Sequence, residues 1–207
     1  MEERLKINGY CAITKNTVLC NGEVNIEEEG LTVKEFFKTL YREYSNDYSK
    51  FFKMDDASKL TFLTAEILLK NCAILEEEKD ELAIVLANKS ASLNTDRKYQ
   101  ESIQEKENYY PSPAVFVYTL PNIGIGEVCI KHKIYGENAF LVAEKFDVKR
   151  ITEYATILIN TNKAKFVLCG WVDVDNDEYT SVMYLVSKEG GEEYSEEKIN
   201  KLYQSIR

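Results

Sequence analysis

The sequence is short of the residues that most site chemistries require. His132 is its only histidine, and five cysteines (Cys11, Cys20, Cys72, Cys129, Cys169) are scattered with no CxxC between any two. Zinc needs clustered Cys and His, so no metal site is expected. An odd, dispersed set of thiols reads as reduced cysteines in a cytoplasmic protein, most of them small core residues. Positive charge is also in deficit. The net charge is −9, which argues against nucleic acid and anionic lipid as partners. No long apolar run exists either. The longest uncharged stretch, 108–126, holds all three prolines (Pro111, Pro113, Pro121) with Ser112, Thr119 and Asn122, so no membrane span is expected. The opening MEERLKINGYCAIT has no apolar run of the kind that marks a secretory signal. GxSxG, HExxH and the P-loop are missing, and Gly124-Ile125-Gly126 lacks the third glycine of a dinucleotide turn. No cofactor is expected.

What is present reads as one α/β domain over 1–207. Strands are expected at 4–13, 81–88, 139–144, 164–174 and 179–188, and helices at 31–44, 54–74, 122–133, 147–160 and 195–206. Asp55 or Asp56, Asp147 and Ser195 suit helix N-caps. ELAIVLAN is apolar throughout, as a central strand covered on both faces must be, and the polar NKSASLNTD after it reads as a loop. Alternating strands and helices give a mostly parallel sheet between helical layers. The tight turn after residue 174 makes the last strand antiparallel.

Five blocks then resemble one family: FFKMDDASKL (51–60), LAIVLANKSASLNTD (82–96), YPSPAVFVYTLPNIGIGEVCIKHKIYGEN (110–138), AKFVLCGWVDV (164–174) and SVMYLVSKE (181–189). Together they are similar to the amino-terminal half of β-ketoacyl-acyl-carrier-protein synthases, in the thiolase superfamily. The family's TLPN segment and the glycines that follow it are matched by Thr119, Leu120, Pro121 and Asn122, by Gly126, and by Gly136-Glu137-Asn138. The resemblance implies a three-layer αβα half of a thiolase-like fold with a five-stranded mixed sheet. It also implies that the uncharged stretch is buried beside an acyl pocket, with Pro113, Phe116, Thr119, Pro121 and Asn122 as the pocket wall.

The resemblance also shows what is missing. Such synthases carry a Cys at the start of a buried helix, where the helix dipole stabilises the attacking thiolate. Counting without a gap from Gly136-Glu137-Asn138, that position is Lys145. A lysine forms no acyl thioester. The family's two catalytic histidines belong to a carboxyl-terminal half that this sequence does not match, and His132 falls at a non-catalytic position. Asp173, Asp175, Asp177 and Glu178 lack the glycine and spacing of a calcium loop and read as a solvated turn.

The expected function is therefore a ketosynthase-like protein without activity of its own. It would serve as an accessory or chain-length-factor-like subunit in fatty-acid or polyketide-type biosynthesis, aryl-polyene synthesis included. Two alternatives stay open. One is a 3-oxoacyl-ACP synthase component that completes a composite site with a partner chain. The other is a module that binds an acyl chain or an acyl carrier protein through Lys131, Lys133, Lys145, Lys149 and Arg150. In the family the strand before the Cys pairs with its two-fold mate. Here that strand holds Ala139, Phe140, Leu141, Val142 and Ala143, and an uncovered apolar edge is an association hazard. A homodimer, or a heterodimer with a full-length ketosynthase, is expected through it.

Overall fold

The computed structural model describes residues 5–72, 74 and 76–206, the side chains of 76, 77 and 108 excepted. Arg4 and Ala73, assigned above to the first strand and second helix, lie outside the described residues. The strands are β1 (Lys6–Thr14), β2 (Thr17–Cys20), β3 (Glu23–Glu27), β4 (Leu82–Asn88), β5 (Asn138–Val142), β6 (Phe166–Asp175), β7 (Glu178–Ser187) and β8 (Glu192–Glu193). They form one sheet in the order β3-β2-β1-β7-β6-β4-β5, with β8 paired to β1. β4, β5 and β6 are mutually parallel, and β7 is antiparallel to β6 and β1. The helices are α1 (Val33–Tyr44), α2 (Asp56–Cys72), α3 (Leu93–Ile103), α4 (Pro113–Val117), α5 (Ile123–His132), α6 (Val148–Asn160) and α7 (Glu196–Ser205).

Helices cover both faces of the sheet, giving three αβα layers. β4 is buried at every position. Ile84 and Leu86 enter one core with Phe36 and Leu40 of α1, Leu60, Leu63 and Ile67 of α2, and Ile125 and Val128 of α5. Ala83, Val85 and Ala87 enter the other, with Ile151, Ala155 and Leu158 of α6 and Ile199 of α7. This two-sided burial is why β4 reads as a continuous apolar run. The helix starts are chemically marked. Asp55 accepts from Ser58 N–H at 2.9 Å, Asp147 from Arg150 N–H at 3.0 Å and Ser195 from Lys198 N–H at 3.3 Å. Thr32 and Glu35 close a capping box on α1.

Three features depart from the sequence reading. The five expected strands form a contiguous run that ends at β5, but the β2–β3 hairpin and β8 widen the sheet to eight strands. Lys15 and Asn16, then Asn21 and Gly22, all have positive φ, as two-residue hairpin turns require. The expected loop after β4 becomes helical at Leu93. Its sequence is almost wholly polar, and Thr95 is its one buried residue. The third departure is burial of the uncharged stretch. Tyr109, Tyr110, Phe116, Val117 and Leu120 are exposed in this chain, and the only fully buried side chain among residues 109–121 is Tyr118. Prolines and the short α4 keep the segment on the surface, where its apolar groups need another cover.

Candidate functional site

The carboxyl ends of β4 and β5 are where this architecture places a site. The chain leaves β4 toward the α2/α5 face and leaves β5 toward α6 on the other face. Adjacent strands whose connections diverge in this way open a crevice at their carboxyl ends. The Ala143 N–H donates to the Asn88 carbonyl at 2.8 Å, closing the base of that crevice.

On the β5 side stand Ala143, Glu144, Lys145, Phe146 and Asp147. Lys145 lies on an exposed bend two residues before the α6 N-cap. The cap is a carboxylate, so the helix N-terminus that would stabilise an anionic nucleophile already holds a resident anion. Phe146 fixes the bend by packing on Trp171 and Tyr203, with ring centres 5.8 and 5.0 Å apart.

The β4 side is tied down internally. The Asn88 side chain bonds both the carbonyl and the N–H of Ala91, at 2.8 and 3.0 Å. That grip holds Ala91 at φ 48°, a conformation alanine rarely adopts. Asp173 accepts from the N–H groups of Lys89 and Ser90, Thr95 donates to Asp55 at 2.6 Å, and Arg97 pairs with Asp175 at 2.7 Å. Asp173 and Asp175 are thus brackets for this loop, while Asp177 is exposed in the turn beyond and Glu178 at the start of β7.

The five residues expected as a pocket wall do not line one cavity within this chain. Pro113, Phe116 and Asn122 are exposed, and Thr119 and Pro121 are half-buried. Only Pro121 of the five borders the cavity beneath the crevice, which Asn88, Tyr118 and Phe140 also line and which measures about 10 Å³. That is room for one water at most, not for an acyl chain.

Two buried carboxylates escaped the sequence reading. Glu127 of α5 is 1% exposed and receives the hydroxyls of Tyr48 (3.0 Å) and Tyr118 (3.1 Å) and the Lys50 ammonium (2.8 Å). Burial first, and then Glu127, push the Tyr48 pKa up to about 12 and that of Tyr118 higher still. Glu66 of α2 lies 2.9 Å from His132 Nε2 and 3.3 Å from Lys70 Nζ. These acids tie α5 to α2 and to the 48–50 segment. His132 is thus a positioning group remote from the crevice. The signal was present in α5, since Glu127 is the only acid in IGIGEVCIKH.

β5 is an edge strand. One side pairs with β4, and the other pairs with nothing among the described residues. Phe140 packs toward the α2/α5 core, and Ala139, Leu141 and Ala143 toward the α6 core, while Val142 is 58% exposed. Eight of the thirteen exposed large apolar side chains of the described residues fall between Tyr109 and Val142. That is far from an even scatter. Of the basic residues weighed above, Lys131 pairs with Asp47 at 2.5 Å, Lys149 with Glu153 and Arg150 with Asp147. No helix among the described residues is long and apolar enough to cross a membrane.

No family model and no curated protein matches the chain in sequence. Solved structures do match it in fold. The ishigamide ketosynthase/chain length factor superimposes with a TM-score of 0.65 at 15% identity, covering 89% of this chain and 62% of that one. A type II polyketide synthase ketosynthase complex with its acyl carrier protein (AntDE:AntF) gives 0.61 at 14%, covering 90% and 64%. The Xenorhabdus doucetiae complex of ketosynthase ApeO with its chain length factor ApeC gives 0.59 at 14%, covering 99% of this chain and 92% of the matched one. The chain therefore spans a little under two thirds of the first and second of these and nearly all of the third. Its fold is the thiolase-like fold of ketosynthases and chain length factors.

Proposed function

We propose that this chain is a non-catalytic, chain-length-factor-like subunit that pairs with a ketosynthase in fatty-acid or polyketide-type biosynthesis, aryl-polyene synthesis included, in the cytoplasm. One observation carries the reading: the bend between β5 and α6 presents Lys145, and the Asp147 carboxylate caps the helix behind it. Acyl transfer to a synthase needs a thiolate there. The five thiols all sit elsewhere, and burial raises the pKa of Cys11, Cys72, Cys129 and Cys169. A chain with this fold and no thiol at that bend still has a use if it completes an active partner.

The partner follows from the edge. An unpaired apolar strand flanked by exposed Ile130 and Tyr135 calls for a second chain. Ala139 to Ala143 are the residues expected to pair across it. That a chain of similar span occurs in a complex named for a ketosynthase and its chain length factor supports a heteromeric partner. Native mass measurement, alone and after mixing with the ketosynthase encoded nearest to this chain, tests the reading. A stable 1:1 heteromer, with acyl transfer by the complex and none by this chain, is the expected result. A homodimer indifferent to the synthase, or acyl transfer by this chain alone, overturns it.

A further inference from the structure

Cys11 of β1 and Cys20 of β2 face each other across the first hairpin. Their sulfurs are 3.1 Å apart. The pairing parity is fixed at both ends. The two-residue turn Lys15-Asn16 joins Thr14 to Thr17, and Asn21 N–H donates to the Tyr10 carbonyl at 3.0 Å. Thr14/Thr17 is therefore a hydrogen-bonded pair, Tyr10/Asn21 shares one backbone bond while the Tyr10 N–H donates to Asn21 Oδ1, and Cys11/Cys20, an odd number of steps from each, is a non-hydrogen-bonded pair. Such pairs bring Cα atoms to about 4.5 Å, within the range of about 4.4–6.8 Å that a disulfide spans. Bond formation asks the sulfurs to close by roughly 1 Å, a side-chain adjustment that leaves the strands in register.

We propose that Cys11 and Cys20 are a reversible redox pair that a hydroperoxide converts to a cross-strand disulfide. Cys20 is the first sulfur to react. It is 5% exposed against 0% for Cys11, and it lies on the short β2, whose neighbour β3 is the other edge of the sheet. The Cys11 thiol beside it also lowers its pKa, whereas burial drives that of Cys11 well up. The Cys20 thiolate attacks the terminal peroxide oxygen. The O–O bond breaks, the alcohol (or water) departs with the proton lost by Cys20, and a sulfenic acid remains. Cys11 sulfur then attacks Cys20 sulfur, the S–O bond breaks, and hydroxide leaves as water with the Cys11 proton. Two thiols and one hydroperoxide give one disulfide, one alcohol and one water. The two electrons lost by sulfur are those gained by the O–O bond.

The cross-link ties the β2–β3 hairpin to the interior strand β1. Cys72 is the competing thiol, because its sulfur rests against Gly9, on the same face of β1 as Cys11. The inference stands whether or not the chain pairs with a ketosynthase, since neither cysteine belongs to β5 or to the crevice.

The test treats the full chain with hydrogen peroxide, alkylates the remaining thiols after unfolding, and reads intact mass and peptide map. The expected product has lost two hydrogens and yields one linked peptide pair containing Cys11 and Cys20, with the other three cysteines alkylated. Dithiothreitol reverses the link, and the oxidised chain melts at a higher temperature. Cys72→Ser keeps the cross-link. Cys11→Ser abolishes it and leaves Cys20 as a sulfenic acid trapped by dimedone. Should Cys11→Ser not fold, the peptide map of the unsubstituted chain decides alone. A link through Cys72, or five alkylatable cysteines after excess peroxide, overturns the proposal.

Discussion

At Lys145 the helix dipole is no longer on offer, because Asp147 occupies the α6 N-terminus. A thiol placed there gains little. Lys145→Cys is expected to titrate near the ordinary cysteine value of about 8.5 and to take up no acyl group from an acyl-thioester. Intact mass after incubation checks this, and rapid acylation would mean that the crevice retains the synthase's chemistry. Glu66 allows a second test. Burial alone would raise its pKa, but His132 and Lys70 outweigh burial and hold the carboxyl below its usual value. A depressed folded pKa means stability that is fully present above the unfolded value of about 4.3 and is lost as pH falls through the folded one. Glu66→Gln should therefore flatten the loss of stability below about pH 4.3, read as the urea midpoint against pH. An equally steep fall in the variant would show that other carboxylates carry it. Lys145 was legible in the sequence because it follows an ungapped motif. Glu66 was not, since a charged residue in a helix reads as solvated until its partner, on another helix, is known.

At the scale of elements, the proposed pairing through β5 would set association and the caps set local stability. Val142→Lys puts an ammonium on the exposed edge and is expected to weaken the complex by about tenfold or more, with little change in the melting of the isolated chain. Equilibrium sedimentation measures it, and an unchanged association constant would remove β5 from the interface. Asp147→Ala should cost about 1 kcal/mol in denaturant unfolding, the usual worth of such a cap. Most elements could be read in advance because apolar spacing and caps agreed. β4 and α6 are cases where pattern, cap and burial point the same way. The β2–β3 hairpin could have been read, since Asn21-Gly22 is a strong hairpin signal, but strands of four and five residues are too short to establish a period. α3 could not. LNTDRKYQESI has no apolar stripe, and its fold comes from the bracket of Asp55, Asp173 and Asp175 around it.

At the scale of the whole molecule, charge separates a subunit from a carrier-binding module. The chain carries a net −9, and acyl carrier proteins are acidic as well, so encounter is opposed unless a basic face is free. The candidate face is largely spent. Lys131, Lys149 and Arg150 pair with acids of this chain, leaving Lys133 and Lys145 without an ion pair among the described residues. Two lysines scattered on an acidic surface supply little steering, and salt at physiological strength screens them within about 8 Å. The isolated chain is therefore expected to show no saturable binding to an acyl carrier protein, and the proposed complex with a ketosynthase is expected to bind one through the synthase. Titration calorimetry at low salt measures both. Binding by the isolated chain that disappears in Lys145→Glu would instead make the crevice a carrier dock, and the exposed lysine on the β5–α6 bend its anchor.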